Sequence, residues 1–243
     1  MNALDFSNRL VVITGVGRAG QVGEAIALGF AQRGATLALL DVQPAEVEAR
    51  AASLTAQGFI ASAHVANLAD ANAAELSAAE IMAQTQRQFD GAVHAVICVA
   101  GGFGMTGPLD STDIAAWQKQ FMINLDTAYN ATRAFLSAVR TGHGSFVYFG
   151  SAAALPGGKS AGLAAYTAAK SGVLALMRAV AADEREQHVR ANAVAPTQIR
   201  TAANISTMGA DKDYVERESV ADVVAFLASP LARNISGQVI TLA

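Results

Sequence analysis

Tyr166 and Lys170 stand four residues apart in Tyr166-Thr-Ala-Ala-Lys170. The stretch has a helical period, so one face carries both side chains. A phenol on its own titrates near pH ~10, and a neighbouring ammonium favours the phenolate, which brings proton exchange closer to neutrality. Fifteen residues before Tyr166, the apolar run Ser145-Phe-Val-Tyr-Phe-Gly150 ends in Ser151. A hydroxyl at the end of a buried strand can donate to a carbonyl oxygen held beside the phenol and stabilise negative charge developing there. Asn124 lies in the helical stretch Phe121-Met-Ile-Asn-Leu-Asp126 among apolar neighbours. Asparagine is a modest helix former and a buried amide needs partners, so the position suggests a task. Each feature alone has a plainer explanation: a tyrosine at a helix edge beside a solvated lysine, or a serine that starts a turn. As a set they read as a proton-transfer centre, with Tyr166 as general acid/base beside Lys170, Ser151 and Asn124.

A second constellation lies near the N-terminus. The apolar run Leu10–Ile13 leads into Thr14-Gly15-Val-Gly17-Arg18-Ala-Gly20-Gln-Val-Gly23, and a helical segment follows from Glu24. Glycines here let the backbone turn tightly and approach a pyrophosphate, whose charge the helix N-terminus meets. Any strand-to-helix turn uses glycines, but this one sits in the first strand–turn–helix unit, the context a nucleotide cradle requires. The next strand-like run, Thr36–Leu40, is followed by Asp41, eighteen residues after Gly23. An acid there accepts hydrogen bonds from an adenosine ribose diol and repels a 2′-phosphate. Arg18, inside the glycine loop, is the opposite signal, because a guanidinium pairs well with a phosphate. Asp41 is the nearer of the two to the ribose in this pattern, so NAD(H) is the expected cofactor. The plainer alternative is a solvated Asp41 leading into the next helix.

The elements that must position these groups alternate along the chain. Strand-length apolar runs fall at about 9–14, 35–41, 59–65, 92–99, 144–150, 189–195 and 237–242. Between them, helical periods run near 21–33, 44–57, 70–89, 111–139, 160–188 and 218–228. Such alternation predicts parallel pairing through right-handed crossovers, a doubly wound α/β sheet of about seven strands with helices on both faces. Ligands bind such a sheet at the carboxyl ends of its strands, where the Gly-rich pieces 101–107 and 157–162 also fall. The 243 residues, 52% apolar and 15% charged, suit one domain over residues 1–243 with a sheet buried on both faces. A net charge of −3 with 17 scattered basic residues argues against nucleic acid or an anionic membrane as partner. No apolar run reaches the ~18 residues of a membrane span, and no signal peptide is expected at the N-terminus. The lone Cys98 fits a reducing compartment, and the cytoplasm is the expected location.

Together, the glycine loop, Asn124, Ser151, Tyr166 and Lys170 resemble the short-chain dehydrogenase/reductase family over essentially the whole chain. The resemblance implies a Rossmann-like fold and a homo-oligomer, dimer or tetramer, formed through the helices carrying Asn124 and Tyr166. It gives Tyr166 the proton transfer and a cofactor contact, Lys170 a grip on the nicotinamide ribose, Ser151 the orientation of the carbonyl, and Asn124 the upkeep of a water-linked proton path. It also implies cofactor contacts at Asn67 and Leu68, where an aspartate commonly meets the adenine, at Ala100 and Gly101 after strand four, and at Pro196, Ile199 and Thr201 after strand six. Several positions depart from the family pattern. The glycine loop is two residues longer, Cys98-Val-Ala-Gly101 replaces Asn-Asn-Ala-Gly, Thr197 replaces a glycine, and the chain ends Thr241-Leu-Ala.

The function expected is reversible hydride transfer between NAD(H) and a small alcohol or carbonyl compound, without a metal. Phe103, Met105, Leu155, Met208 and Tyr214 are expected to wall a partly apolar pocket, under a short, mobile lid between Thr201 and Val220. Alternatives are a nicotinamide-binding sensor or scaffold without turnover, an NADPH-dependent 3-oxoacyl reductase, and, ranked lower for want of chain after Thr201, an epimerase or dehydratase. The four histidines lack metal-ligand spacing. Glu46, Glu48 and Arg50 read as an exposed helix face, and Trp117 with Phe121 as a packing stripe at a possible subunit contact.

Overall fold

Seven short apolar runs form the strands β1 (Leu10–Thr14), β2 (Thr36–Asp41), β3 (Ala61–Val65), β4 (Ala95–Cys98), β5 (Ser145–Phe149), β6 (Arg190–Pro196) and β7 (Val239–Leu242). They make one sheet of order β3-β2-β1-β4-β5-β6-β7, parallel throughout. The structure is a computed structural model and describes residues 4–243. The helices are α1 (Val22–Ala31), α2 (Pro44–Ala56), α3 (Ala71–Phe89), α4 (Ile114–Phe121), α5 (Thr127–Thr141), α6 (Ala164–Asp183), α7 (Ala202–Met208) and α8 (Arg217–Ala228). This is a Rossmann-like doubly wound sheet.

Both faces are covered, which is why the central strands read as unbroken hydrophobic runs rather than alternating ones. Residues of β1 and β5 are buried along their whole length. On one face Val12, Leu40 and Tyr148 pack with Ala78 and Ile81 of α3, Phe135 of α5 and Met177 of α6. On the other, Val11, Ile13 and Leu39 pack with Ile26 and Phe30 of α1, Val47 of α2 and Val224 of α8. Strand order reverses between β1 and β4, and the crevice beyond their carboxyl ends is where such a sheet binds a ligand. Among the described residues no helix is long and apolar enough to cross a membrane.

The expected helix over 111–139 is three pieces. After α4 the chain widens into a π-turn at Met122–Asp126 before α5 begins. Insertions of this kind concentrate at functional sites, and this one contains Asn124. The second difference is α7, a short helix inside the segment expected to be a lid.

Candidate active site

At the carboxyl end of β5, Gly150 leads to Ser151, whose Oγ accepts from Ala153 N–H at 3.3 Å and starts a single 3-10 turn. Tyr166 is in the first turn of α6, with its hydroxyl close enough to Ser151 for the serine side chain to affect its proton affinity. One turn on, Lys170 is buried and its Nζ donates to the Phe149 carbonyl at 2.8 Å. Asn124 reaches in from the π-turn. Its Oδ1 accepts from Gly102 N–H at 3.1 Å, while Nδ2 donates to the Gly102 carbonyl and to the Gln120 carbonyl, each at 3.0 Å. A Cβ built on Gly101 would lie 2.6 Å from Asn124 Oδ1 and 3.4 Å from Lys170 Nζ, so only a glycine lets these three segments converge.

Burial sets the proton affinities here. It pushes the Lys170 ammonium down to about 8. It raises the Tyr166 phenol, and the Ser151 side chain opposes this only in part. The sequence leads one to expect a phenol lowered by its lysine. The ammonium is directed at the Phe149 carbonyl instead, and burial prevails.

The glycine loop forms the other half of the crevice. Gly15 has φ +66°, and a Cβ there would stand 2.4 Å from the Ala100 Cα, so the exits of β1 and β4 touch backbone to backbone. Helix α1 starts at Val22, and the preceding Gln21 provides no side-chain cap. An uncapped helix start behind a glycine turn is a fitting receptor for a pyrophosphate. Asp41 Oδ2 accepts from Gly17 N–H at 2.8 Å and Oδ1 from Gln43 N–H at 3.0 Å. Each oxygen keeps a further lone pair, so ribose hydroxyls would still find acceptors. Arg18 is exposed and Gly23 is buried at the start of α1. The groups present therefore fit a nicotinamide dinucleotide.

The remaining expected contacts lie along the same edge of the sheet. Asn67 is exposed, with Oδ1 accepting from Ala69 N–H at 3.1 Å, and the Leu68 carbonyl accepts from Asn130 Nδ2 at 2.9 Å. Ala100 donates its N–H to Thr14 Oγ1 at 3.3 Å and its carbonyl accepts from Thr127 Oγ1 at 3.4 Å. These hydroxyls brace the segment after β4, where the family pattern places asparagines. Pro196 ends β6. Ile199 bridges Val215 through bonds from Val215 N–H to Gln198 O and Arg200 N–H to Val215 O, both 2.8 Å. The Ile199 N–H therefore lies on the opposite edge of its strand. Thr201 is buried and caps α7 by accepting from Asn204 N–H at 3.1 Å.

Some expectations fail here. Tyr214 is no pocket wall. It is buried within the lid, where its hydroxyl donates to the Gly209 carbonyl at 2.7 Å and Arg200 lies over its ring at 4.9 Å. With Arg200 also paired to Glu216 at 2.7 Å, the lid is stitched together internally around α7. Phe103 does face the site. Its ring meets that of Tyr166 edge-on at 5.2 Å while remaining 67% exposed. Arg50 leaves the exposed face expected of it and turns inward to bond with Glu24, its side chain only 16% exposed. Sequence reasoning missed Gln120 and Thr127, although with Asn124 they recur at 120, 124 and 127, a buried polar row on an otherwise apolar helical face. The polarity at helical spacing was a usable signal.

Residues 15–242 match a protein family described as enoyl-(acyl carrier protein) reductase. The chain is 32% identical to 2-(S)-hydroxypropyl-CoM dehydrogenase 3 of Xanthobacter autotrophicus, over 95% of this chain and 93% of that protein. It is 28% identical to cyclohexanol dehydrogenase of an Acinetobacter species, over 96% and 92% of the two chains. A solved short-chain type dehydrogenase/reductase from Mycobacterium ulcerans superposes with a TM-score of 0.86 at 25% identity, covering 98% of this chain and 89% of that one.

Proposed function

This chain belongs to the short-chain dehydrogenase/reductase family of oxidoreductases acting on CH–OH and C=O groups, and from that premise we propose that it moves a hydride between NAD(H) and a secondary alcohol or ketone with Tyr166 as general acid/base. The observation that carries the reading is the approach of Asn124 and Lys170 to Gly101, just beyond β4, with Tyr166 one helical turn before Lys170 and beside Ser151. The bound nicotinamide supplies or accepts the hydride. In the reducing direction Tyr166 Oη, kept protonated by burial, gives its proton to the substrate oxygen as that oxygen gains charge. Ser151 Oγ donates to the same oxygen and holds it in line, so that positioning lowers the barrier before any proton moves. Asn124 pins Gly102 and with it the segment that carries Phe103 over the phenol. That exposed ring, with Met105 beside Gly162, favours a substrate with an apolar body.

Asp41 supports NAD(H) over NADP(H), since it holds Gly17 and would repel a 2′-phosphate. The test is a panel of ketones and secondary alcohols run with NADH, NADPH and their oxidised forms. NADH is expected to be preferred, and Asp41→Ala to raise its KM about tenfold while narrowing the preference. Tighter binding of NADPH by the wild type, or an unchanged preference in the variant, rejects the assignment. Reduction of an α,β-unsaturated thioester in the same panel, with ketones untouched, would favour the second reading, an enoyl reductase, which the description of the matching family suggests.

A homo-oligomer is also proposed, through the outer face of α4 and α5. There Trp117, Phe121 and Met122 line an open groove, and Ile114 and Tyr129 are exposed. We place the cofactor and substrate sites in one domain, and the enzyme in the cytoplasm, where its single buried thiol stays reduced.

A further inference from the structure

The proposed reaction makes no use of Glu24, yet this residue is the hub of a network behind the glycine loop. Its Oε2 accepts from Gly20 N–H at 2.7 Å. Arg50 of α2 bonds its Oε1, and Arg217, the first residue of α8, approaches Oε2 at 3.5 Å. The Arg50 Nε is buried without a partner, and among the described residues Glu24 is the side chain that bonds this guanidinium. The carbonyl of the same Gly20 accepts from Ala202 N–H, the first residue of α7, at 2.9 Å. Gly20 has φ +77°, and a Cβ there would stand 2.9 Å from the Ala202 Cβ. The lengthened loop is thus tied down by two carboxylates, Asp41 at Gly17 and Glu24 at Gly20, and its Glu24-held end carries the lid.

We propose that Glu24 is a positioning residue, holding Gly20 so that one loop conformation both receives the dinucleotide phosphates and docks the substrate lid. A carboxylate in the first turn of the helix would by itself repel a phosphate arriving there. The two arginines offset that repulsion, which is why the acid can serve as an anchor at an anion site. The inference rests on the assignment of the glycine loop as the cofactor cradle.

Two substitutions separate this role from simple packing of α1, α2 and α8. Glu24→Ala removes both the ion pairs and the acceptor for Gly20, whereas Glu24→Gln removes the charge and keeps an acceptor. NADH affinity would be measured by fluorescence titration. Lid docking would be measured without cofactor, by hydrogen exchange of the peptide spanning Ala202–Met208. Glu24→Ala is expected to weaken NADH about tenfold and to speed exchange of the lid by a similar factor, with Glu24→Gln restoring most of both. Equal behaviour of the two variants would mean that only the ion pairs matter, and it overturns the proposal, as does wild-type lid exchange in Glu24→Ala. Should Glu24→Ala not fold, Gly20→Ala tests the same latch from the other side with the ion pairs intact, and unchanged lid exchange there is equally fatal. If the wild type binds neither NADH nor NADPH, the cradle assignment itself is wrong, a result that lid exchange alone would not produce.

Discussion

Tyr166→Phe lowers carbonyl reduction at saturating NADH roughly a thousandfold, while NADH affinity stays within about twofold of wild type. The phenyl ring fills the same space, keeps its edge contact with Phe103 and leaves Lys170 on the Phe149 carbonyl. Only the hydroxyl beside Ser151 and its proton are lost. A large fall in kcat with little change in binding is the signature of a group that acts in the transition state. The pH dependence of the wild type follows from the raised phenol. Reduction needs the protonated form, which burial secures, so its rate holds across neutral pH. Oxidation needs the phenolate, so its rate climbs with pH into the alkaline range. Stopped-flow traces of NADH absorbance in both directions check the two claims. A variant with more than a tenth of wild-type reduction, or oxidation that slows as pH rises, removes Tyr166 from its role.

Lys170→Met is expected to abolish activity and to make the protein more stable. Burial takes this ammonium from its ordinary 10.5 to about 8, which corresponds to on the order of 3 kcal/mol of native-state cost at neutral pH. A methionine of similar length removes the charge but leaves the Phe149 carbonyl without its donor, at about 1–2 kcal/mol. The net gain is about 1–2 kcal/mol, or roughly 3–6 °C in Tm for a chain of this size. The sign with pH is fixed by the direction of the shift. Below about 8 the lysine is charged in both folded and unfolded chains, so the native state carries the whole cost. Between about 8 and 10.5 the native state sheds the proton that the unfolded chain keeps, and wild-type stability rises with pH. The advantage of Lys170→Met therefore shrinks on going from pH 7 to pH 10. Thermal melts of both proteins across that range test it, and a variant less stable than wild type at pH 7 contradicts it. Activity should fall at least about a hundredfold, since the ammonium expected to grip the nicotinamide ribose, held near Gly101, is gone.

Much of the architecture was legible because its signals are local. The observed strands fall within the expected runs, give or take a residue or two; β6, for example, spans Arg190–Pro196 against an expected 189–195. A parallel strand buried on both faces is an apolar run wherever it occurs. The helix over 111–139 was misjudged because a π-turn alters hydrogen bonding without interrupting the period of apolar residues, so Met122–Asp126 looks helical in sequence. The lid is expected to be mobile because it is short and contains Met208-Gly209. Within it, Tyr214, Arg200 and the Ile199–Val215 bridge add contacts that no local pattern encodes.

The chain by itself determined that Tyr166 and Lys170 share a helix face, that Ser151 ends a strand, and that glycines and then Asp41 follow the first two strands. Those facts depend on periods of two and 3.6 residues and on what each side chain permits nearby. Folding decided how these groups behave. It buried Lys170 and turned it to Phe149, twenty-one residues away. It closed Asn124 on Gly102, set Gly15 against Ala100 and joined Glu24 to Arg50 and Arg217. Proton affinity and loop position arise from burial and from partners far along the chain, and only the assembled sheet brings those partners together.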